Sequence, residues 1–190
     1  MHTRLAGPIL EGERLRLRPP QPEDFEGFAA FHGDAETMRF LGGVQSPAIA
    51  HRSMRYMAGQ WLMDGFSMFS IIEKASGQWI GRAGPIRPYA WPGLEVGWGL
   101  LSSAWGRGYA FEATALAIDF AFDVLAANEV VHTIAADNVA SARLAEKLGA
   151  RNAGPVTLPA PYVDTVVDLW KQGRDDWQVN RLKWRSHAGA

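Results

Sequence analysis

The chain has 190 residues, 47% of them hydrophobic and 21% charged, with a formal net charge of −1, an ordinary globular composition with enough chain to bury a core. That near-neutral balance argues against nucleic acid or a membrane surface as a partner held by bulk positive charge. Cysteine is absent, which excludes disulfides, thiolate metal sites, iron–sulfur clusters and a cysteine nucleophile.

The N-terminus lacks the apolar core of a signal peptide and no run approaches membrane-spanning length, so a cytoplasmic protein is expected, folded as one domain over residues 1–190. Glu13 to Arg18, ERLRLR, alternates charged and apolar residues and predicts a strand buried on one face. Pro19 to Pro22 ends it, and the proline start predicts a short helix from Glu23 to His32. A second short helix is expected over Asp34 to Leu41. After Gly42-Gly43, Ser46-Pro47 opens a helix to about Met63, with Met54, Met57, Ala58, Trp61 and Leu62 at helical spacing.

The period then changes. Ser67 to Glu73 and Gln78 to Gly84 predict two strands joined by a turn at Ala75-Ser76-Gly77. Leu94 to Leu101 predicts another, in which Gly97 and Gly99 mark weak pairing or close backbone approach. The turn SAWGRGYA leads into a helix from about Gly106 to Leu125, whose expected apolar stripe is Tyr109, Ala113, Leu116, Ala117, Phe120 and Val124. Glu129 to Ala135 predicts a strand, and Asn138 caps a helix that stops before Gly149. Two last strands are expected near Arg151 to Thr157 and Tyr162 to Lys171. The polar tail, about residues 178–190, is expected to be loose. The whole is an α/β (α+β) arrangement, a mixed sheet of about seven strands flanked by helices. The eight tryptophans suit either packing or an aromatic-lined cleft.

A helix N-terminus offers unpaired N–H groups and partial positive charge, so the turn before the helix can hold an anion. Gly106 and Gly108 let backbone approach a phosphate, and Arg107 adds a charge. A plain connection has the same local signature. The turn lacks the Gly-Lys-Ser/Thr of a P-loop, and Phe111 stands where a dinucleotide fingerprint needs its third glycine. The histidines show no metal spacing, and His32 and His132 are expected to pack or hydrogen-bond, so no metal is expected.

EVGWGLLSSAWGRGYAFEA (Glu95 to Ala113), followed by ADNVASARLAEKLGA (Ala136 to Ala150), resembles the GNAT superfamily of acetyl-CoA-dependent N-acetyltransferases. The nearer likeness is to its ribosomal-protein N-terminal acetyltransferase branch. EGERLRLRPPQPEDF (Glu11 to Phe25) and the final strand followed by Asp-Asp-Trp are similar too, so the likeness covers nearly the whole chain. Departures from the pattern are Ser102, Ser103, Phe111 and Ala150.

The resemblance implies a mostly antiparallel sheet in which the strand from Glu95 to Leu101 splays from its neighbour. It implies that Trp98, Gly99 and Leu100 pair with the pantetheine arm of acetyl-CoA. Gly106, Arg107, Gly108, Tyr109 and Ala110 would hold the pyrophosphate, and an N–H near Trp98 would stabilise the oxyanion. Glu95 is the candidate base, directly or through water; its structural reading is an acid at a strand start, paired with an arginine. Ser141 is the candidate acid for the departing thiolate, with Asn138 beside it on the cofactor. The plainer reading is a capping Asn with an incidental Ser. Arg143 and Lys147, one turn apart, could serve the cofactor phosphates, but the plainer reading is a pair of solvated charges. The implied reaction moves acetyl to a primary amine, a protein N-terminus or a small molecule. A non-catalytic acyl-CoA-binding module, or a different acyl group, stays open. A homodimer is entertained only because twofold assemblies are the commonest.

Overall fold

Alternation, caps and turn residues are satisfied nearly element by element in the computed structural model, which describes residues 4–187, with side chains through residue 182. One eight-stranded sheet carries, in spatial order, β1 (Leu10–Glu11), β2 (Leu15–Arg18), β3 (Phe69–Glu73), β4 (Trp79–Ile86), β5 (Glu95–Leu100), β6 (Glu129–Ala135), β8 (Val167–Gly173) and β7 (Arg151–Val156). The strand beyond the seven expected is β1, two residues opposite Leu17 and Arg16 and too short to show an alternation. The chain forms two compact units, Met1–Pro85 with Gly97–Leu116, and Ile86–Val96 with Ala117–Ala190.

In the first unit β2, β3 and β4 run antiparallel, with Leu17 opposite Ile71 and Phe69 opposite Ala83. Leu15 and Leu17 are fully buried, so the apolar half of the ERLRLR alternation faces the core. Helices α1 (Phe25–Gly33), α2 (Ala35–Met38) and α3 (Pro47–Met63) follow their start signals: a 3-10 turn at Pro22–Asp24 precedes α1, and the Ser46 side chain accepts from the Ile49 N–H ahead of α3. Phe28, Phe31, Met38, Met54, Met57 and Trp79 form a core cluster. Burial of each large member contributes about 2–3 kcal/mol. Asp24, itself buried, takes a two-pronged bond from Arg18 at 2.7 and 2.8 Å and one from the Ser70 hydroxyl at 2.7 Å, which ties the α1 entry to β2 and β3.

In the second unit β6 and β8 pair antiparallel over seven residues, from Glu129 opposite Gly173 to Ala135 opposite Val167. Helix α5 (Val139–Leu148) starts and stops where Asn138 and Gly149 predict. Strand β8 begins at Val167 rather than Tyr162. The residues before it form turns, with the Tyr162 N–H on Pro159 O and the Thr165 N–H on Tyr162 O, both at 3.0 Å. β-branched Val163 and Val166 look strand-like in sequence, yet they lie exposed in this loop.

Helix α4 (Tyr109–Asp119) continues as one π turn, Phe120–Val124. Its burial is broader than the expected stripe: Ala113, Ala115, Ala117, Ile118 and Phe120 are all buried. Tyr109 and Leu116 are half-buried, and Val124 is 64% exposed. The Leu125 N–H bonds Phe120 O five residues back, so the widened turn breaks the 3.6 period and rotates Val124 out. The chain after Trp177, expected loose, is helical: α6 spans Arg174–His187, and residues 188–190 lie outside the described residues. Among the described residues no helix is long and apolar enough to cross a membrane.

Candidate functional site

Trp105 to Gly108 form an exposed main-chain loop between the 3-10 turn Ser102–Ala104 and α4. Gly106 and Gly108 have φ of +74° and +77°, the left-handed region that other residues enter at a cost. A Cβ built on Gly106 would meet no protein atom within 4 Å. The glycine there therefore serves the backbone path and leaves the surface bare, as a phosphate cradle requires.

Three clamps hold this segment. The Arg14 guanidinium donates to Arg107 O at 2.8 Å and lies 4.8 Å over the Tyr109 ring. Glu112, in the first turn of α4 and nearly fully buried, accepts from the Arg14 and Leu15 N–H groups at 2.8 and 3.1 Å and from Arg14 Nε at 2.9 Å. Glu73 accepts from the Tyr109 hydroxyl at 2.6 Å and lies 3.7 Å from the Arg107 guanidinium. Hydrogen bonds from Ser76 and Tyr109 hold the Glu73 carboxyl below its ordinary range. At the loop's start the Thr37 hydroxyl accepts from the Ser102 N–H at 3.0 Å, and bonds from Ser102 and Thr37 hold the Asp34 carboxyl down to about 2. Leu100 O accepts from the Trp105 indole at 2.9 Å, so this carbonyl already has a partner. Trp98 and Gly99 are half-buried. A Cβ on Gly99 would come within 2.8 Å of the Phe31 ring, so close packing alone accounts for that glycine.

In the second unit Glu95 is 8% exposed at the start of β5, opposite Val131 where β5 and β6 pair in parallel. Its carboxylate accepts from the Thr133 hydroxyl, whose oxygen lies 3.0 and 2.9 Å from the two carboxylate oxygens. The Trp91 indole N–H also donates to Oε2. No arginine pairs with Glu95 among the described residues, so the structural reading with an arginine partner is replaced by one with Thr133 and Trp91. Burial raises the Glu95 carboxyl to about 6 despite the bonds from Trp91 and Thr133.

His132, next to Thr133 but on the opposite face of β6, hydrogen-bonds Val96 O through Nδ1 at 2.7 Å, and burial lowers it to about 4. His32 likewise bonds Phe28 O at 2.8 Å. Both are the packed, bonded histidines that the sequence suggests. Asn138 Oδ1 accepts from the Ser141 N–H at 3.2 Å, so the amide oxygen serves the α5 cap. Ser141 is half-buried, and Arg143 and Lys147 are exposed.

The predicted residues thus fall in two sets. Trp98 to Leu100 and Gly106 to Ala110 share the first unit; Glu95, Asn138 and Ser141 belong to the second. Sequence reasoning misses Arg14, Glu73 and Glu112, which hold the loop, and Trp91 and Thr133, which hold the acid. Only Glu112 carried a local signal, an acid in the first turn of a helix that complements its dipole.

A family model described as an acetyltransferase (GNAT) domain matches residues 14–151. An uncharacterized N-acetyltransferase, p20, from Bacillus licheniformis is 28% identical over 145 residues, 75% of this chain and 82% of that protein. The crystal structure of an acetyltransferase from Agrobacterium tumefaciens superposes with a TM-score of 0.78 at 25% identity, covering 92% of this chain and 99% of that one. The ribosomal-protein-S5-alanine acetyltransferase of Vibrio fischeri shares the fold, with a TM-score of 0.67 at 17% identity over 90% of this chain and 98% of that one. With the family model covering well over half of the sequence, this chain belongs to the GNAT family of acetyltransferases.

Proposed function

We propose that residues 1–190 act as one N-acetyltransferase domain that moves an acetyl group from acetyl-CoA to a primary amine, the α-amine of a protein N-terminus or a small-molecule amine. The bare, clamped turn from Gly106 to Ala110 fits phosphate, and the main chain of Trp98 to Leu100 lies just ahead of it in the same unit. When bound there, acetyl-CoA supplies the activated acetyl thioester.

The protein's own work is proton management. An α-amine has a pKa of roughly 7.7–8.0 and a lysine amine about 10.4, so the acceptor arrives mainly as ammonium and must lose a proton. Glu95 takes that proton. Its raised carboxyl, near 6, makes it a stronger base than an exposed glutamate while leaving it ionised at neutral pH. Ser141, held at the first turn of α5 by the Asn138 cap, gives its hydroxyl proton to the leaving sulfur and regains one from the attacking nitrogen, which sheds it on becoming an amide, so the serine begins and ends neutral. The Asn138 amide nitrogen is the part of that side chain left for the cofactor.

The observation that carries this reading is the buried carboxylate of Glu95, bonded by neutral groups alone. In the wild type kcat/KM should rise with pH through an inflection near 6, because only the ionised carboxylate accepts a proton. Glu95→Gln should lose about 100-fold in kcat and this inflection together, read by free-thiol release across an amine panel. Cofactor binding with no turnover on any amine would instead favour a non-catalytic acyl-CoA-binding module.

A further inference from the structure

The Glu95 carboxylate is nearly sealed, and its hydrogen-bond partners among the described residues are known by kind. The Trp91 indole N–H and the Thr133 backbone N–H donate to it, and the Thr133 hydroxyl lies within 3.0 Å of both its oxygens. An indole or amide N–H gives a hydrogen bond and has no lone pair with which to take one, whereas a hydroxyl has one proton and two lone pairs. Of the three contacts, only the hydroxyl can pass a proton on. Thr133 is also half-buried where Glu95 is buried, so it is the more accessible of the two.

We propose that the Thr133 hydroxyl is the proton relay between the acceptor amine and Glu95, a role that rests on Glu95 being the base. In the step, the ammonium N–H bond breaks as a new Oγ–H bond forms on Thr133. The original Oγ–H bond breaks as an O–H bond forms on the Glu95 carboxylate. Thr133 begins and ends neutral, the ammonium becomes amine, and the carboxylate becomes carboxyl. The nitrogen keeps the electron pair with which it attacks. Trp91 is a positioning residue that holds Oε2 while the proton arrives.

Thr133→Val keeps the shape of the side chain and removes the hydroxyl; Thr133→Ser keeps the hydroxyl. Expected is a loss of about 10- to 100-fold in kcat for Thr133→Val with little change in KM for either substrate, and recovery to within about threefold in Thr133→Ser. In substrate-free protein, infrared titration of the Glu95 carboxyl should move to higher pH in Thr133→Val and return in Thr133→Ser, because a donated hydrogen bond favours the charged form. Equal losses in the two variants would assign Thr133 to packing and overturn the relay. A Thr133→Val enzyme of wild-type rate beside an impaired Glu95→Gln would overturn the relay and leave the base in place. Wild-type rates in both would remove the base, and the relay with it. Should Thr133→Val not fold, a solvent-isotope proton inventory on the wild type decides. Two protons in flight support the relay and one overturns it.

Discussion

Two buried titratable groups on adjacent strands, Glu95 and His132, are pushed in opposite directions by the same desolvation, and their effects on stability oppose each other. His132 stands at about 4 in the fold against an ordinary 6.5. Between those values the unfolded chain binds a proton that the fold refuses, so stability rises with pH and is lost on acidification, by up to about 3 kcal/mol. Glu95 stands at about 6 against 4.5. Between those values the fold holds a proton that the unfolded chain releases, so stability falls as pH rises, by up to about 2 kcal/mol. The contributions of these two groups should therefore nearly cancel between pH 4.5 and 6, with a steeper loss below, where His132 acts without opposition. His132→Gln should leave the Glu95 effect unopposed and make Tm fall with rising pH across that window. A slope unchanged from the wild type would contradict this assignment. None of the pair's surroundings was visible in the sequence, since Trp91 and Thr133 are polar or aromatic residues in no recognisable pattern with Glu95.

At the scale of elements, the glycine turn is a device made of parts that lie far apart in the chain. Glu112 on α4 reaches the turn before β2 across 98 residues of sequence, and Arg14 returns from there to the Arg107 carbonyl. Removing the acid leaves two backbone N–H groups and the Arg14 Nε–H without their acceptor, a cost of about 1–3 kcal/mol. Glu112→Ala should therefore weaken coenzyme A binding several-fold in calorimetry, while Glu112→Gln, which still accepts, retains most of it. Equal affinity in Glu112→Ala and wild type would show that the loop holds its shape unaided. Helices α3 and α5 were readable to the residue because their caps are local: Ser46 with Pro47, and Asn138 with Gly149. The π turn at Phe120–Val124 was not, since it carries no residue that announces it. Its cost to the reading was the misplaced Val124.

For the molecule as a whole, the C-terminal helix belongs to the structure of the second unit. Trp177 is 1% exposed, and its indole donates to Asp119 Oδ1 at 2.9 Å. Trp177→Ala should cost about 3–5 kcal/mol by opening a large cavity and removing one of the donors to that carboxylate, which also pairs with Arg181 at 3.1 Å; calorimetry would register this as a fall in Tm of about 10 °C. A fall of a degree or two would mean that α6 is dispensable. Polar composition made this segment look loose, yet one aromatic residue per few turns is enough to dock a helix when a buried site awaits it.

What the amino-acid sequence determined alone was everything written in local periods and end signals: the strands at Leu15–Arg18 and Glu129–Ala135, the capped helices, the glycine turn, and the motif pair that marks the family. Tertiary structure alone decided which neutral groups face Glu95, which far residues brace the turn, and where β8 begins. The physical reason is range. A cap or an alternation is settled within about one turn or one strand pair, whereas the state of a buried carboxyl depends on groups tens of residues away that folding brings within 3 Å.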